Sequence, residues 1–157
     1  MHIVKRGVWL LRARISYWVA RQLFHWPWFV RQPRGWEWLE GQFSRMANLG
    51  DLNAMGFYGH ILLFRGKGLA ARDEGLRLVR LAAERGDAKA AYQMGVTSLA
   101  GTLRSAPDAV AAVHWWEMAL AGGHPLAAFK LAQLYRQGGP GLAPDPERAA
   151  RYAAGPE

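Results

Sequence analysis

The chain has 157 residues, 51% of them hydrophobic and 20% charged, which fits one globular or repeat domain and excludes a disordered segment. It has no cysteine, which excludes disulfides, thiolate catalysis and cysteine metal sites. The formal net charge is +8, and the first forty residues carry +5 of it, with seven Lys or Arg against two Glu.

The first predicted element is a helix over residues 3–25, where apolar residues recur at steps of four and three. This stripe consists of Val4, Val8, Leu11, Ile15 and Trp18, and its cationic borders are Lys5, Arg12, Arg14 and Arg21. The opposite side is also apolar, at Trp9, Leu10, Tyr17 and Phe24. Packing against the first repeat would bury that opposite side. Docking on a membrane or a partner would leave it exposed, with Trp9, Arg12, Arg14, Trp18 and Arg21 as the docking residues.

A secretory signal and a membrane span are both disfavoured. Arg12 and Arg14 interrupt the apolar run early, and no small-residue cleavage site follows. No apolar run approaches the roughly 18–20 residues that cross a bilayer. We therefore expect a cytoplasmic protein, with a peripheral position at the inner face of the membrane as the alternative.

Residues 26–35 are predicted to form a connector, because Pro27, Pro33 and Gly35 interrupt the helical pattern. A second helix is predicted from Trp36 to Gly50, as the lone second helix of an incomplete leading repeat. The chain thus divides into a basic aromatic segment, residues 1–35, and a repeat region, residues 36–157.

An internal repeat organises the second region. Ala54, Ala90 and Ala127 lie 36 and 37 residues apart, and Ala47, Ala83 and Ala119 each precede Gly50, Gly86 and Gly122 by three residues. Such self-similarity predicts helix–turn–helix repeats over about residues 50–86, 86–122 and 123–153. In the first of them, helix A is predicted over about 51–64 and helix B over 73–85.

Helix ends are predicted from caps and prolines. Asp87 should cap the second helix A, which Gly101 ends, and Ser105 with Asp108 predicts a capping box before the next helix. Two helix starts place proline at the first helical position, and the last helix should end near Tyr152. These starts are His124-Pro125 and Asp145-Pro146.

Equivalent positions of the repeats alternate between small and large residues. The small ones let a partner helix approach closely, and they are Ala54, Gly59, Ala90, Gly95, Ala127 and Ala132. The large ones should fill the space between the helices. They are Tyr58, Met94 and Leu131 on helix A, and Val79, Trp115 and Tyr152 on helix B.

These residues resemble the Sel1-like repeat family, a relative of tetratricopeptide repeats with a slightly longer unit. The family pattern, approximately G-D-x-x-A-x-x-x-L-G and then A-x-x-W and a final glycine, is matched by Gly86, Asp87, Ala90, Met94, Gly95, Ala112, Trp115, Ala119 and Gly122. The resemblance covers about residues 36–153. It implies an all-α, short right-handed α-solenoid of about three repeats that binds other proteins, often as an adaptor in bacterial signalling or envelope-associated assemblies.

No catalytic or metal-binding constellation is predicted. The five histidines show neither H-x-x-x-H nor H-E-x-x-H spacing, so we expect no metal, no cofactor and no enzymatic activity. Nucleic acid is a disfavoured partner, because the repeats carry little excess charge and contain no recognition motif.

The sequence therefore predicts a non-enzymatic adaptor for a partner protein or peptide. By analogy with related solenoids, helix A lines the concave side, and the partner-binding positions are Asn53, Phe57, Lys89, Gln93, Thr97, Lys130, Gln133 and Gln137. The runner-up is a peripheral membrane-associated adaptor, anchored by the basic Trp-rich helix. An apolar end around Ala149, Tyr152 and Ala153 suggests a homodimer, another partner or the N-terminal segment as its cover.

Overall fold

The computed structural model describes residues 2–155, and side chains from residue 8 to residue 155. Regular structure within this range is helical, apart from one isolated bridge between Gly139 and Leu142. The helices are α1 His2–Leu23, α2 Pro27–Arg31, α3 Pro33–Asn48, α4 Leu52–Arg65, α5 Gly68–Glu84, α6 Ala88–Ala100, α7 Ala109–Ala121, α8 Ala127–Gln137 and α9 Pro146–Ala154. The chain forms two compact units, Met1–Gly75 and Leu76–Glu157. The predicted all-α class is confirmed.

The predicted connector over residues 26–35 is wrong, because most of it is helical. Pro27 begins α2 and Pro33 begins α3, so that Gln32 alone separates the two helices. Proline is well suited to the first helical turn, where its fixed φ is already helical and its missing N–H would have no partner. The second long helix therefore begins at Pro33 and not at Trp36.

Three turns between helices have the same hydrogen-bond pattern. In each, the amide after a glycine donates to the carbonyl five residues back, over 3.3, 3.0 and 2.8 Å. The glycines are Gly50, Gly86 and Gly123, with φ of 84°, 96° and 80°. This is the Schellman arrangement, in which glycine takes the left-handed conformation at low cost. The third turn is thus centred on Gly123, the predicted start of the third repeat, and not on Gly122, the glycine one residue earlier in the alanine spacing.

The same one-residue shift corrects the large residue of the second helix B. Trp116 is the buried tryptophan, 1% exposed, whereas the predicted Trp115 is half-buried. Trp116 lies 37 residues after the fully buried Val79 and 36 residues before Tyr152. The other large positions, Tyr58, Met94 and Leu131, are buried as predicted, and so are all six small positions.

Aspartates cap four of the helices. Their carboxylates accept hydrogen bonds from amides three residues ahead, which have no partner inside the helix. The pairs are Asp51 with Ala54, Asp87 with Ala90, Asp108 with Ala111 and Asp145 with Arg148, over 2.8 to 3.0 Å. The predicted capping box is wrong, since Asp108 is itself the cap and Ser105 bonds to Thr102 in the preceding turn.

Other helix boundaries differ from prediction by a few residues. Helix α5 begins at Gly68 and not near residue 73, and α9 continues past Tyr152 to Ala154. Helix α8 begins at Ala127, so that Pro125 precedes the helix instead of opening it. His124 Nδ1 accepts from the Leu126 amide over 3.3 Å and thereby orders that entry turn.

Aromatic rings form the core between α1, α3 and α4 in the first unit. Phe43 of α3 is fully buried and makes edge contacts with Tyr17, Phe24 and Phe57, at ring-centroid distances of 5.1 to 6.0 Å. Edge-to-face contact suits the aromatic quadrupole and adds to the hydrophobic gain. In the second unit α6 packs on α7, α7 on α8 and α8 on α9, around Trp116 and Leu131.

Tyr58 connects α4 to α3 and is held in its neutral form. Its ring is buried, and its hydroxyl donates to Glu40 Oε1 over 3.4 Å. Burial, and then the Glu40 carboxylate, raise the pKa of Tyr58 from 10.0 to about 12. Since the folded pKa exceeds the unfolded one, this contribution to stability is complete below pH 10 and is lost as the pH rises to about 12.

Tyr58→Phe is therefore expected to reduce the alkaline loss of stability. Between pH 10 and about 12 the wild type should lose on the order of 1–2 kcal/mol more unfolding free energy than the variant. Denaturant titrations of both proteins at several alkaline pH values measure this difference. Identical pH dependences would contradict the role of Tyr58.

Candidate partner-binding surface

Helix α6 presents a polar face at the predicted positions Lys89, Gln93 and Thr97. The Asp87 cap fixes where this helix begins, and the four-residue spacing then places the three side chains on one side. Lys89 is exposed, whereas Gln93 and Thr97 are half-buried. Buried Ala90, Ala91 and Met94 lie beside this polar face and hold α6 in the unit.

Helix α8 presents the corresponding face at Lys130, Gln133 and Gln137. Gln137 is exposed and the other two are half-buried. Two exposed apolar side chains that the sequence interpretation missed share this face, Leu126 and Phe129, the latter 64% exposed. The sequence could have indicated their exposure, because both residues fall outside the repeated small and large core positions.

His124 brings the two faces together. Its ring stacks on Tyr92 of α6, with 4.2 Å between the ring centroids, and its Nδ1 accepts the Leu126 amide. Burial, and then the charge of Lys89, lower the pKa of His124, which keeps the imidazole neutral and its Nδ1 able to accept. Trp116 Nε1 donates to the Tyr92 carbonyl over 3.1 Å and fixes this residue from the core side.

The two predicted positions in the first unit differ in their surroundings. Asn53 is exposed near the start of α4. Phe57 is half-buried, and its ring contacts Phe24 and Phe43 while the Arg21 guanidinium lies 5.7 Å from its centroid. Phe57 therefore already takes part in the aromatic core of its unit.

The predicted docking residues of α1 are all exposed. The side with Trp9, Leu10, Tyr17 and Phe24, however, is neither wholly buried, as packing predicts, nor wholly exposed, as docking predicts. Tyr17 and Phe24 pack in the aromatic core, whereas Trp9 and Leu10 are exposed. Arg12, Arg14, Trp18 and Arg21 are exposed as well. The side chains of Val4 and Lys5 lie outside the described residues. Helix α1 is thus packed on one side and open on the other.

A groove of roughly 590 Å³ lies near the end of α9, lined by Leu120, Ala128 and Tyr152 with Glu117, Arg148 and Arg151. The Tyr152 hydroxyl donates to Glu117 Oε1 over 2.7 Å, and burial followed by that carboxylate raises the pKa of Tyr152 to about 12. Tyr152 therefore stays protonated to a higher pH than an ordinary tyrosine. It also stacks on Tyr135, and Ala149 is buried, so this end exposes less apolar surface than predicted.

Two kinds of site are absent from the described part of the chain. Residues 8–155 contain no group of three or more His, Asp or Glu side chains that could hold a metal ion. Over the same searched residues, no helix combines the length and the apolarity that a bilayer crossing requires.

Comparison with known proteins identifies the repeats. The sequence profile of the Sel1 repeat matches residues 46–87, 88–124 and 125–154, well over half of the chain. The comparison with curated proteins gave no match. Structural likeness extends to c5321, a protective antigen present in uropathogenic Escherichia coli strains that displays an SLR fold, with a TM-score of 0.65 at 22% identity. A Sel1 repeat protein from Oxalobacter formigenes has a TM-score of 0.65 at 25% identity.

The two alignments cover 74% and 73% of this chain but only 25% and 32% of those two proteins. Both likenesses confirm the helical repeat fold, and the sequence match confirms the family that the alanine and glycine spacing indicated. The chain belongs to the Sel1 repeat family.

Proposed function

We propose that this chain is a non-enzymatic adaptor, and that the exposed faces of α6 and α8 bind a partner protein. Sel1 repeats generally act as modules that bind other proteins, and that general role supports the proposal. The partner-binding residues in the second unit are those predicted from the sequence, Lys89, Gln93, Thr97, Lys130, Gln133 and Gln137. In the first unit Asn53 is the corresponding exposed residue, whereas Phe57 packs in the aromatic core.

The observation that carries the proposal is Phe129, a large apolar side chain that α8 exposes among cations and amides. Exposed apolar side chains framed by polar groups are typical of binding surfaces. Neither α6 nor α8 contains an Asp or Glu, so Lys89, Lys130 and Arg136 are the charged residues of these helices. This surface suits an acidic partner segment that inserts an apolar side chain beside Phe129.

The contact between Tyr92 and His124 stabilises the same surface. Their stack joins α6 to the entry turn of α8, so the two faces keep a fixed spacing before a partner arrives. A preformed surface loses less conformational entropy on binding, which leaves more of the contact energy as affinity.

Two variants are expected to reduce partner recovery while leaving the fold intact. Phe129→Ala removes the exposed anchor and should weaken binding about tenfold or more. Lys89→Glu combined with Lys130→Glu reverses the charge and should slow association with an acidic partner. A nuclease-treated pull-down with mass spectrometry compares both variants with the wild type and gives the partner for a direct affinity titration.

Matched controls come from exposed residues elsewhere in the chain. Leu103→Ala removes an apolar side chain that is 86% exposed in the turn after α6, and Lys67→Glu reverses a charge near the start of α5. Both controls should recover the wild-type partners. Unchanged affinity of both test variants for the recovered partner would contradict the proposed surface. Point variants are preferred to deletion of residues 1–35, because Tyr17 of α1 and Phe24 just after it contact the rings of Phe43 and Phe57.

Self-association through the end of α9 stays a prediction. The groove beside Tyr152 offers a concave surface for a second copy, and its two arginines lie near Glu117 and Glu147. Light scattering across a concentration series distinguishes a dimer from a monomer.

A further inference from the structure

Helix α1 has two apolar faces on opposite sides. The inner face packs: Ala13 and Ala20 are buried, and Tyr17 and Phe24 contact Phe43. At 3.6 residues per turn, the stripe of Val8, Leu11, Ile15 and Trp18 lies on the far side of the helix from Ala13 and Ala20. Each of these four side chains is between 56% and 63% exposed. Packing in the first unit therefore leaves this outer stripe uncovered.

The outer stripe is too large for an ordinary solvated helix face. It extends from Val8 to Trp18, which is about 15 Å along the helix axis. Trp26 and Trp28, in the segment that follows α1, are also exposed, at 64% and 69%. Monomeric soluble proteins rarely leave contiguous large apolar side chains of this kind in water.

The charges around the outer stripe have one sign. Exposed Arg12 lies on one border and exposed Arg14 lies on the other, whereas the guanidinium of Arg21 lies over the ring of Phe57. Helix α1 contains no Asp or Glu, and no acidic residue precedes Glu37. In a two-fold contact between copies through this stripe, Arg12 and Arg14 would face a like-charged surface, which disfavours a homodimer here.

We propose that the outer stripe of α1 docks on the surface of an anionic lipid membrane. The helix lies in the plane of the headgroups, with Leu11 and Ile15 in the acyl region and the indole of Trp18 at headgroup depth. Arg12 and Arg14 extend their aliphatic stems along the helix and place their guanidinium groups on lipid phosphates. This docking goes beyond partner binding by the repeats and uses none of its residues.

The contacts on the inner face make this docking different from that of a free amphipathic peptide. Tyr17 and Phe24 hold α1 against α3 and α4, so the helix is folded and its stripe is already turned outward before it meets lipid. Membrane binding therefore does not have to supply the free energy of folding the helix. A stripe of only four described apolar residues is then sufficient for binding.

The test is co-sedimentation of the full chain with vesicles of phosphatidylcholine, with and without phosphatidylglycerol. Binding is expected with the anionic vesicles only, and it should weaken as salt screens the arginines. Ile15→Glu should lower the partition coefficient about tenfold or more, because it places a charge in the apolar stripe. Arg12→Glu should lower it about fivefold or more. Circular dichroism verifies that both variants stay helical, as expected for changes at exposed positions.

Two controls match these variants in kind. Leu103→Glu places the same charge on an exposed leucine away from α1, and Lys67→Glu reverses a charge on the same unit without touching the stripe. Both should sediment with anionic vesicles like the wild type.

Three results would overturn the proposal. They are no binding to anionic vesicles at low salt, equal binding to neutral and anionic vesicles, and wild-type binding by Ile15→Glu. A wild-type dimer that Ile15→Glu converts to a monomer, without vesicle binding, would instead assign the stripe to a second copy. None of these results bears on the partner surface on α6 and α8, which is tested separately.

Discussion

Trp116→Ala is expected to lower the free energy of unfolding by about 3–5 kcal/mol, the range for removing a buried aromatic ring. Trp116 is 1% exposed and is the largest fully buried side chain of the chain's described part. It packs with Leu131, Tyr135 and Ala112 in the core of the second unit. Gly95 has no side chain, and the surrounding helices cannot move into the space that removal of the Trp116 indole would leave. A cavity therefore remains.

A second part of the lost unfolding free energy comes from the hydrogen bond of the indole N–H. Trp116 Nε1 donates to the Tyr92 carbonyl, the residue that stacks on His124. Trp116→Phe keeps most of the ring but removes this hydrogen bond; the Tyr92 carbonyl keeps its bond within helix α6, so the cost should be about 0.5–1.5 kcal/mol. Because Tyr92 joins α6 to the entry of α8, this variant should also raise amide hydrogen exchange around residues 124–127.

Trp115→Ala is the matched control, since it removes the same side chain one position earlier. Trp115 is half-buried and makes an edge contact with His114, so its loss should cost clearly less than that of Trp116. Denaturant titrations followed by circular dichroism compare the three variants. A larger loss for Trp115→Ala than for Trp116→Ala would show that the register of α7 is wrong.

The repeat architecture was predictable because close helix packing leaves a periodic mark in the sequence. Ala54, Ala90 and Ala127 are all fully buried at the spacing that revealed the repeats. The cap Asp87 was equally visible, since an aspartate before an apolar run accepts hydrogen bonds from the free amides at a helix start. In the repeat region the helix caps and the repeat spacing therefore predict the same helix positions.

The tryptophan register of α7 was not predictable from periodicity. Trp115 and Trp116 are adjacent, and the turn after α6 is longer than its counterpart after α4, so the period of 36 residues does not hold across it. Choosing between two neighbouring tryptophans requires knowing which one faces Gly95 and Leu131, and that contact is not local. The stack of Tyr92 on His124 joins residues 32 positions apart and was missed for the same reason.

Helix α1 shows a different limit. Both of its sides are apolar, so the hydrophobic pattern predicts a helix without indicating which side packs. The more regular stripe, with Leu11 and Ile15, is the exposed one, whereas the packed side relies on small Ala13 and Ala20 beside the rings of Tyr17 and Phe24. The prolines of α2 and α3 were misjudged because proline both ends and begins helices, and only the following residues decide between the two.

Gly95→Ala is expected to destabilise the second unit by about 1–3 kcal/mol, although alanine is the better helix former. A Cβ at residue 95 would lie 2.8 Å from Cε2 of Trp116 and closer still to its Nε1. Trp116 cannot move away freely, because its Nε1 is bonded to the Tyr92 carbonyl and its ring is enclosed. Denaturant titration measures the loss, and hydrogen exchange should place it in α6 and α7.

Gly41→Ala is the control for the intrinsic preference of the backbone. Gly41 is exposed in α3, and a Cβ there meets nothing within 4 Å, so alanine should stabilise by about 0.5–1 kcal/mol. Opposite signs for the two glycine variants would assign the cost at residue 95 to its contact with Trp116. A double-mutant cycle makes this stricter: in the Trp116→Ala background the cost of Gly95→Ala should vanish or change sign, because the ring that it strikes is gone. An undiminished cost there would mean that Gly95 is required for another reason, and that the close approach of α6 and α7 does not depend on this pair.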